Sequence, residues 1–136
     1  MIDEFIAREY KAGRIDRDLF EDKEREILLH AHCQQKAISS SQSSIEMLSI
    51  PKNYKIKEIP SGCCGMAGSF GFEKEHYDLS NKIGEMILFP EVRQAAENIL
   101  IAAPGTSCRH HIEEGTGRKA LHPVTIMYNA LKKKQQ

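Results

Sequence analysis

Two adjacent cysteines, Cys63 and Cys64, lie in a glycine-rich stretch, residues 61–71, whose composition suits the chemistry of sulfur. Glycines occupy positions 62, 65, 68 and 71, and glycine lets the backbone come close to a bound group. The stretch follows a predicted strand, residues 54–59, and precedes a predicted helix. Because the beginning of a helix after such a turn favours an anion, we expect thiolate sulfur here, alone or carrying a metal cluster.

The other two cysteines follow other predicted strands. Cys33 comes after an apolar run that begins at Ile27, and Cys108 comes after the predicted strand 98–103. Ligands of open parallel sheets bind beyond the carboxyl ends of the strands, so all four thiols are expected to meet at one edge. Nearby cations would favour the thiolate form, although each histidine taken alone is explained by an ordinary surface or core role. The nearby basic residues are His30, His32, Arg109, His110 and His111.

Apolar periodicity and turn residues place the remaining elements. Helices are predicted at 3–12, 41–49, 73–88, 90–97 and from 123 onward, and strands from 27, at 54–59 and at 98–103. Residues 14–25 are charged and are expected to form a solvated connector, and residues 106–122 are expected to be loop-rich. On the long helix, the side chains expected to line one face are Tyr77, Ser80, Ile83, Gly84 and Ile87.

Alternation of helices and strands predicts an α/β fold: a small parallel sheet with helices on both faces and the cysteines at the carboxyl ends of the strands. A chain of 136 residues is by default one domain. We therefore expect a single domain over 1–136, in which residues 1–25 form an N-terminal helix and connector.

Charge and hydropathy limit the classes of function. Nineteen basic and nineteen acidic residues cancel, which argues against a nucleic-acid surface. No apolar run is long enough for a transmembrane helix, and the N-terminus does not resemble a signal peptide. These features predict a cytoplasmic chain without membrane insertion, and in a reducing compartment cysteines more often serve metal or redox chemistry than disulfides.

Several chemistries fit four thiols. Four cysteines suit an iron–sulfur cluster or tetrahedral zinc, but structural zinc sites and thiol–disulfide catalysts usually contain Cys-x-x-Cys, which this sequence lacks. An iron–sulfur cluster is therefore favoured, with zinc as the alternative. A phosphate-binding loop formed by Gly62, Gly65 and Gly68 is a weaker alternative, because the spacing matches neither common nucleotide-binding motif.

Three segments resemble the motifs of the cysteine-rich CCG domain. They are His-x-His-Cys-x-Gln-Lys-Ala (30–37), Ser-Gly-Cys-Cys-Gly-Met-Ala-Gly-Ser-Phe-Gly (61–71) and Gly-Thr-Ser-Cys-Arg-His-His-Ile (105–112). This domain recurs in the heterodisulfide reductase B subunit and in iron–sulfur subunits of glycolate oxidase and anaerobic glycerol-3-phosphate dehydrogenase. The likeness extends over about residues 2–131 and is greatest to the C-terminal CCG copy of proteins that fuse an FAD-linked oxidase to an iron–sulfur oxidoreductase.

The resemblance implies an electron-transfer domain of an FAD-linked oxidoreductase that acts on a 2-hydroxy acid such as glycolate or lactate. By motif, Cys33, Cys63, Cys64 and Cys108 would hold the cluster, expected to be 4Fe–4S. Complete motifs end in Cys-x-x-Cys, whereas this chain has His111 at the last position. His111 is therefore a further candidate ligand. The alternative interpretation is that the site has lost its cluster.

The resemblance also implies partners. FAD would be bound by the rest of a longer parent protein, of which this chain would be a C-terminal part, and other iron–sulfur domains would exchange electrons with it. The isolated chain is expected to lack dehydrogenase activity. The alternatives are a non-catalytic interaction domain, zinc-stabilised or metal-free, and a thiol–disulfide relay.

Overall fold

The computed structural model describes residues 2–31, 42–60 and 74–131. Its helices and strands alternate along the chain, with short 3₁₀ turns at Arg17–Leu19 and Lys74–His76. The strands are β1 (Arg25–Leu29), β2 (Tyr54–Glu58), β3 (Leu100–Ala102) and β4 (Ala120–Leu121). The helices of the described part are α1 (Ile2–Lys11), α2 (Gln42–Leu48), α3 (Tyr77–Met86), α4 (Leu88–Gln94), α5 (Thr106–Thr116) and α6 (Pro123–Ala130).

The four strands form one parallel sheet in the order β2-β1-β3-β4. β1 pairs with β2 on one side, with Leu29 opposite Glu58, and with β3 on the other, with Leu29 opposite Ala102. The mixed α/β class and the parallel sheet predicted from the alternating pattern are therefore confirmed.

The sheet has an apolar core on each face, because successive strand residues point to opposite sides. Leu28 and Ile101 pack with α4 and α5, whereas Ile27, Leu29 and Ala102 pack with α2 and α6. All five side chains are less than 10% exposed. A continuous apolar run such as Ile27–Leu29 is typical of a strand covered on both faces, and this explains why β1 could be predicted.

The prediction of a loop-rich segment at 106–122 is wrong. Residues 106–116 form α5, which buries Cys108, His111 and Ile112 on one face, and the segment also contains β4. The helix ends at Gly117, which has a φ of +75° and donates its N–H to the carbonyl of Glu113. A glycine in the left-handed conformation is a common helix terminator, whereas Gly115 lies inside the helix. Two glycines so close together are typical of a loop, and this explains the wrong prediction.

The two helices predicted at 73–88 and 90–97 correspond to α3 and α4, with different bounds. α3 ends at Met86, and α4 begins at Leu88 with Pro90 in its first turn, where a missing N–H costs no helical bond. The predicted face is partly wrong: Ser80 and Gly84 are buried, but Tyr77 is 53% exposed and Ile87 is 37% exposed.

The connector at 14–25 is less solvated than predicted. Phe20 is 6% exposed and joins the core on the α2 and α6 side of the sheet. It also makes an antiparallel bridge with Leu131, which follows α6. The segment that follows α1 thus packs against the end of α6.

Phe89 fills the space where α3, α4 and α5 meet. A β-carbon added to Gly84 would lie 2.6 Å from the Phe89 ring, and one added to Gly115 would lie 2.4 Å from it. Both distances are well below van der Waals contact. Glycine at both positions therefore allows the helices to close around the ring.

Candidate redox and metal site

The carboxyl ends of three strands lie side by side. Beyond the last paired residues, the N–H of His30 donates to the carbonyl of Ala102 at 2.8 Å, and the N–H of Ile59 donates to the carbonyl of Leu29 at 2.8 Å. The chain passes from β1 to β2 on one side, while β3 lies on the other side of β1. Such a reversal of strand order marks the crevice where open α/β sheets bind ligands.

Cys108 lies beyond the end of β3, in the first turn of α5, and is 3% exposed. Cys33, Cys63 and Cys64 lie outside the described residues, as does His32. In sequence, Cys33 follows the end of β1 by four residues and Cys63 follows the end of β2 by five. Convergence of the four thiols therefore stays a prediction.

Within 2–31, 42–60 and 74–131, no group of three or more His, Cys, Asp or Glu side chains is arranged to hold a metal ion. A centre built on Cys108 thus needs ligands from 32–41 or 61–73, and those segments contain the other three cysteines.

His111 is buried with a partner on the neighbouring helix. It is 2% exposed, and its Nε2 lies 3.1 Å from the backbone carbonyl oxygen of Ser80 and 3.2 Å from the Ser80 hydroxyl. Its ring packs against Phe89 with the centroids 4.8 Å apart. Since a carbonyl can only accept, Nε2 carries the hydrogen, and Nδ1 is the ring nitrogen left for a metal. The role of His111 as a ligand remains a prediction.

The basic residues near the predicted thiol site differ in their surroundings. Arg109 donates from Nη1 to the carbonyls of Ala103 and Pro104, both at 2.9 Å, and from Nη2 to the hydroxyl of Thr106. His30, just beyond β1, is 1% exposed, and His110 is on the exposed side of α5. Arg109 therefore braces the turn that leads from β3 to Cys108.

A buried carboxylate was missed by the sequence analysis. Asp3 is 1% exposed and accepts a hydrogen bond from the hydroxyl of Ser44, which is fully buried. The contact joins α1 to α2, the helix that follows the segment containing Cys33. Aspartate is rarely buried, and no local pattern in the sequence marks Asp3 as an exception.

A groove of about 460 Å³ lies away from the carboxyl edge, over β1 and β2 beside α4. Of the candidate site residues that the structure describes, Cys108 and His111, neither lines it. Its walls carry both charges and include Glu26, Leu28, Lys55, Lys57, Glu91 and Gln94.

His122 caps the last helix and is partly shielded from solvent. Its Nδ1 accepts the N–H of Val124 at 3.1 Å, at the beginning of α6. Burial lowers the pKa of His122 below its ordinary value of 6.5; the buried Asp3 carboxylate raises the pKa, and the charge of Arg109 lowers it. The neutral ring is the form that can accept this hydrogen bond.

His122 should make stability depend on pH. Its pKa is lower in the folded chain than in the unfolded chain, so below about 6.5 the unfolded chain binds more protons. The stabilisation is complete above that pH and is lost as the pH falls through the folded pKa. We expect His122→Asn, which caps without titrating, to have a flatter profile of unfolding free energy from pH 7.5 to about 5. Parallel profiles for the two proteins would contradict this assignment.

Comparison with known proteins finds relatives among redox enzymes. The chain is 29% identical over 105 residues to the C subunit of the anaerobic glycerol-3-phosphate dehydrogenase of Escherichia coli strain K12, and the match covers 77% of this chain and 26% of that protein. It is 30% identical over 100 residues to the D-2-hydroxyglutarate dehydrogenase of Pseudomonas putida, and the match covers 73% of this chain and 10% of that protein. The chain is a distant homologue of parts of two dehydrogenases.

The chain thus spans about a quarter of the length of one relative and about a tenth of the other. No protein-family model matches it. No solved structure matches it either. Of the helices in the described ranges, none has both the length and the apolar character required to cross a membrane.

Proposed function

We propose that this chain is an iron–sulfur electron-transfer domain of a larger FAD-linked dehydrogenase that oxidises a 2-hydroxy acid. The observation that carries the proposal is the alignment of the ends of β1, β2 and β3, each of which leads to a cysteine. The distant relatives support the oxidoreductase class, and one is by name a dehydrogenase of a 2-hydroxy acid, D-2-hydroxyglutarate.

Chain length supports convergence of the thiols. Cys33 is two residues beyond Ala31, and Cys63 is three beyond Pro60, the last described residues before each gap. An extended chain reaches at most about 3.5 Å per residue, so these tethers span at most about 7 and 11 Å. Because Ala31 and Pro60 follow neighbouring strands, tethers of this length support the proposal that both cysteines lie near the carboxyl edge.

The donor chemistry fits a cluster. Cys108 is buried in the first turn of α5, where the positive end of the helix dipole stabilises a thiolate. Four cysteine thiolates are the usual ligands of a 4Fe–4S cluster, which would supply one-electron transfer. Cys33, Cys63, Cys64 and Cys108 would hold it, and the apolar surroundings of Cys108 would limit access of water.

The described residues serve to bind and position, and we assign none of them a catalytic role. Substrate oxidation would belong to an FAD-linked partner domain or subunit, and other iron–sulfur domains would accept or deliver electrons. The isolated chain should therefore show no dehydrogenase activity.

The second candidate is a non-catalytic interaction domain, with zinc or without metal. It is favoured by His111, which takes the place of the last cysteine of the complete motif and has a partner in Ser80. Four thiolates also suit tetrahedral zinc.

Anaerobic purification and reconstitution with iron and sulfide test these candidates. We expect iron and labile sulfide in equal amounts, a broad visible absorption and a paramagnetic signal in one of the two accessible redox states. Zinc alone, bound tightly by the aerobic and the anaerobic protein, would establish the second candidate instead. Reversible dithiol oxidation without any metal would indicate a thiol–disulfide relay and overturn the first.

A further inference from the structure

β2 is an edge strand, and among the described residues only β1 pairs with it. At the two ends of their ladder, the N–H of Arg25 donates to the carbonyl of Asn53, and the N–H of Ile59 donates to the carbonyl of Leu29. Backbone groups alternate in direction along a strand. Positions 53, 55, 57 and 59 therefore bond to β1, whereas the N–H and carbonyl of position 56 point to the outer side, where an edge strand can accept another chain.

The side chains of β2 give the two faces of this edge different characters. Lys55 and Lys57 are exposed and line the groove beside α4. Neither lysine has an ion-pair partner among residues 2–31, 42–60 and 74–131. Ile56 lies on the opposite face, is half-buried and packs with the core on the α2 and α6 side. The edge thus presents positive charge on one face and an apolar side chain on the other.

The carboxylates of the groove lie behind the lysines as seen from the outer edge. Glu26 is on β1, directly opposite Lys55. Glu91 belongs to α4, which packs over Leu28 of β1 and Ile101 of β3. A strand added at the outer side would lie about 4.8 Å from β2, so the lysines would stand between it and both carboxylates. This arrangement favours an acidic neighbour on the outer side.

We propose that the outer edge of β2 binds an extended segment of a partner protein in which acidic and apolar residues alternate. The segment adds a strand to the sheet through the backbone of Ile56, with its carboxylates beside Lys55 and Lys57 and its apolar side chains on the face of Ile56. A second copy of β2 fits less well. Pairing centred on Ile56 brings lysine opposite lysine in either direction, and like charges directly opposite each other are destabilising. The proposal does not depend on metal content.

Two pairs of variants test the backbone and the charge separately. Ile56→Pro removes an N–H that points away from β1 and leaves the ladder bonds of positions 55 and 57, a placement that edge strands tolerate. Ile56→Val keeps the N–H and is its matched control. Lys57→Glu reverses the lysine whose neighbour on β1 is the uncharged Leu28. Lys82→Glu, which reverses an exposed lysine on α3, is the control for charge.

The probe is a synthetic peptide in which glutamate alternates with valine, titrated into the ¹⁵N-labelled full chain. We expect chemical-shift changes centred on β2, and exchange of the Ile56 amide with solvent at least about 10-fold slower with bound peptide than without it. Ile56→Pro and Lys57→Glu should bind the peptide at least about 10-fold more weakly, through a lost hydrogen bond and a reversed charge. Ile56→Val and Lys82→Glu should stay within about twofold.

Modified peptides keep the test decisive should Ile56→Pro fail to fold. Methylation of the peptide nitrogens that face β2 should weaken binding at least about 10-fold, and a peptide in which lysine alternates with valine should prefer Lys57→Glu to the unsubstituted chain. Absence of binding by the glutamate–valine peptide, or equal binding of both peptides, would overturn the proposal. Slow exchange of the Ile56 amide without peptide would overturn it too, because the edge would already be occupied. Concentration-dependent broadening of the β2 signals without peptide would instead identify a second copy as the occupant.

Discussion

Serine in place of any one of Cys33, Cys63, Cys64 or Cys108 is expected to abolish the cluster. A serine hydroxyl is a far poorer ligand for iron than a thiolate, because its oxygen is harder and stays protonated near neutral pH. Loss of residues that merely orient ligands already costs about 10-fold or more in metal affinity, so loss of a ligand should cost more. The measurement is iron and labile sulfide per chain after anaerobic reconstitution, together with visible and paramagnetic spectra.

His110→Ala is the control for the cysteine series. His110 lies on α5 two residues after Cys108 but on the exposed side of the helix, so its removal should leave iron content unchanged. For Cys108, which is 3% exposed, alanine should accompany serine so that a buried hydroxyl is not the cause of the loss. Full iron content in any one of the four cysteine variants would remove that residue from the ligand set.

Gly115→Ala is expected to destabilise the fold by about 2–3 kcal/mol, although alanine is the better helix former. The new β-carbon would lie 2.4 Å from the ring of Phe89, whose own exposure is 1%. The ring cannot move freely, since Gly84 lies against it from α3 and His111 packs on it. Chemical denaturation of the metal-free protein measures the loss as a lower midpoint at constant slope.

A smaller side chain at position 89 provides the control. Phe89→Leu should itself cost about 1–3 kcal/mol through lost packing, but in that background Gly115→Ala should be much less harmful than in the unsubstituted protein. The coupling between the two substitutions should therefore be at least about 1 kcal/mol and favourable. Simple additivity would show that the clash with Phe89 is not what requires glycine at 115.

Strands and helices could be predicted where the sequence pattern directly reflects burial or backbone geometry. Ile27–Leu29 is apolar throughout because β1 is covered on both faces, and Pro90 marks the beginning of α4 because it fits a first turn. β4 was missed because it is only two residues long, Ala120–Leu121, and depends on pairing with β3. α5 was missed because its interior Gly115 serves packing against Phe89, and sequence pattern alone does not reveal such a tertiary requirement.

The sheet edge at which the site is proposed was predictable, but the buried polar contacts near it were not. The alternating pattern sufficed to predict that β1, β2 and β3 end at one edge. The partnership of His111 with Ser80 and that of Asp3 with Ser44 join residues about thirty to forty positions apart, and no local pattern indicates them. Buried polar pairs of this kind form between different helices, so they depend on how the helices pack in the folded chain.

The central place of β1 also bears on the order of events during translation. β1 is synthesised well before its second neighbour in the sheet, β3, which begins at Leu100. A nascent chain that ends before Leu100 therefore has β1 open along one edge and offers a ribosome-bound chaperone an apolar strand. Any group held jointly by the ends of β1 and β3 would have to be acquired after β3 has been synthesised.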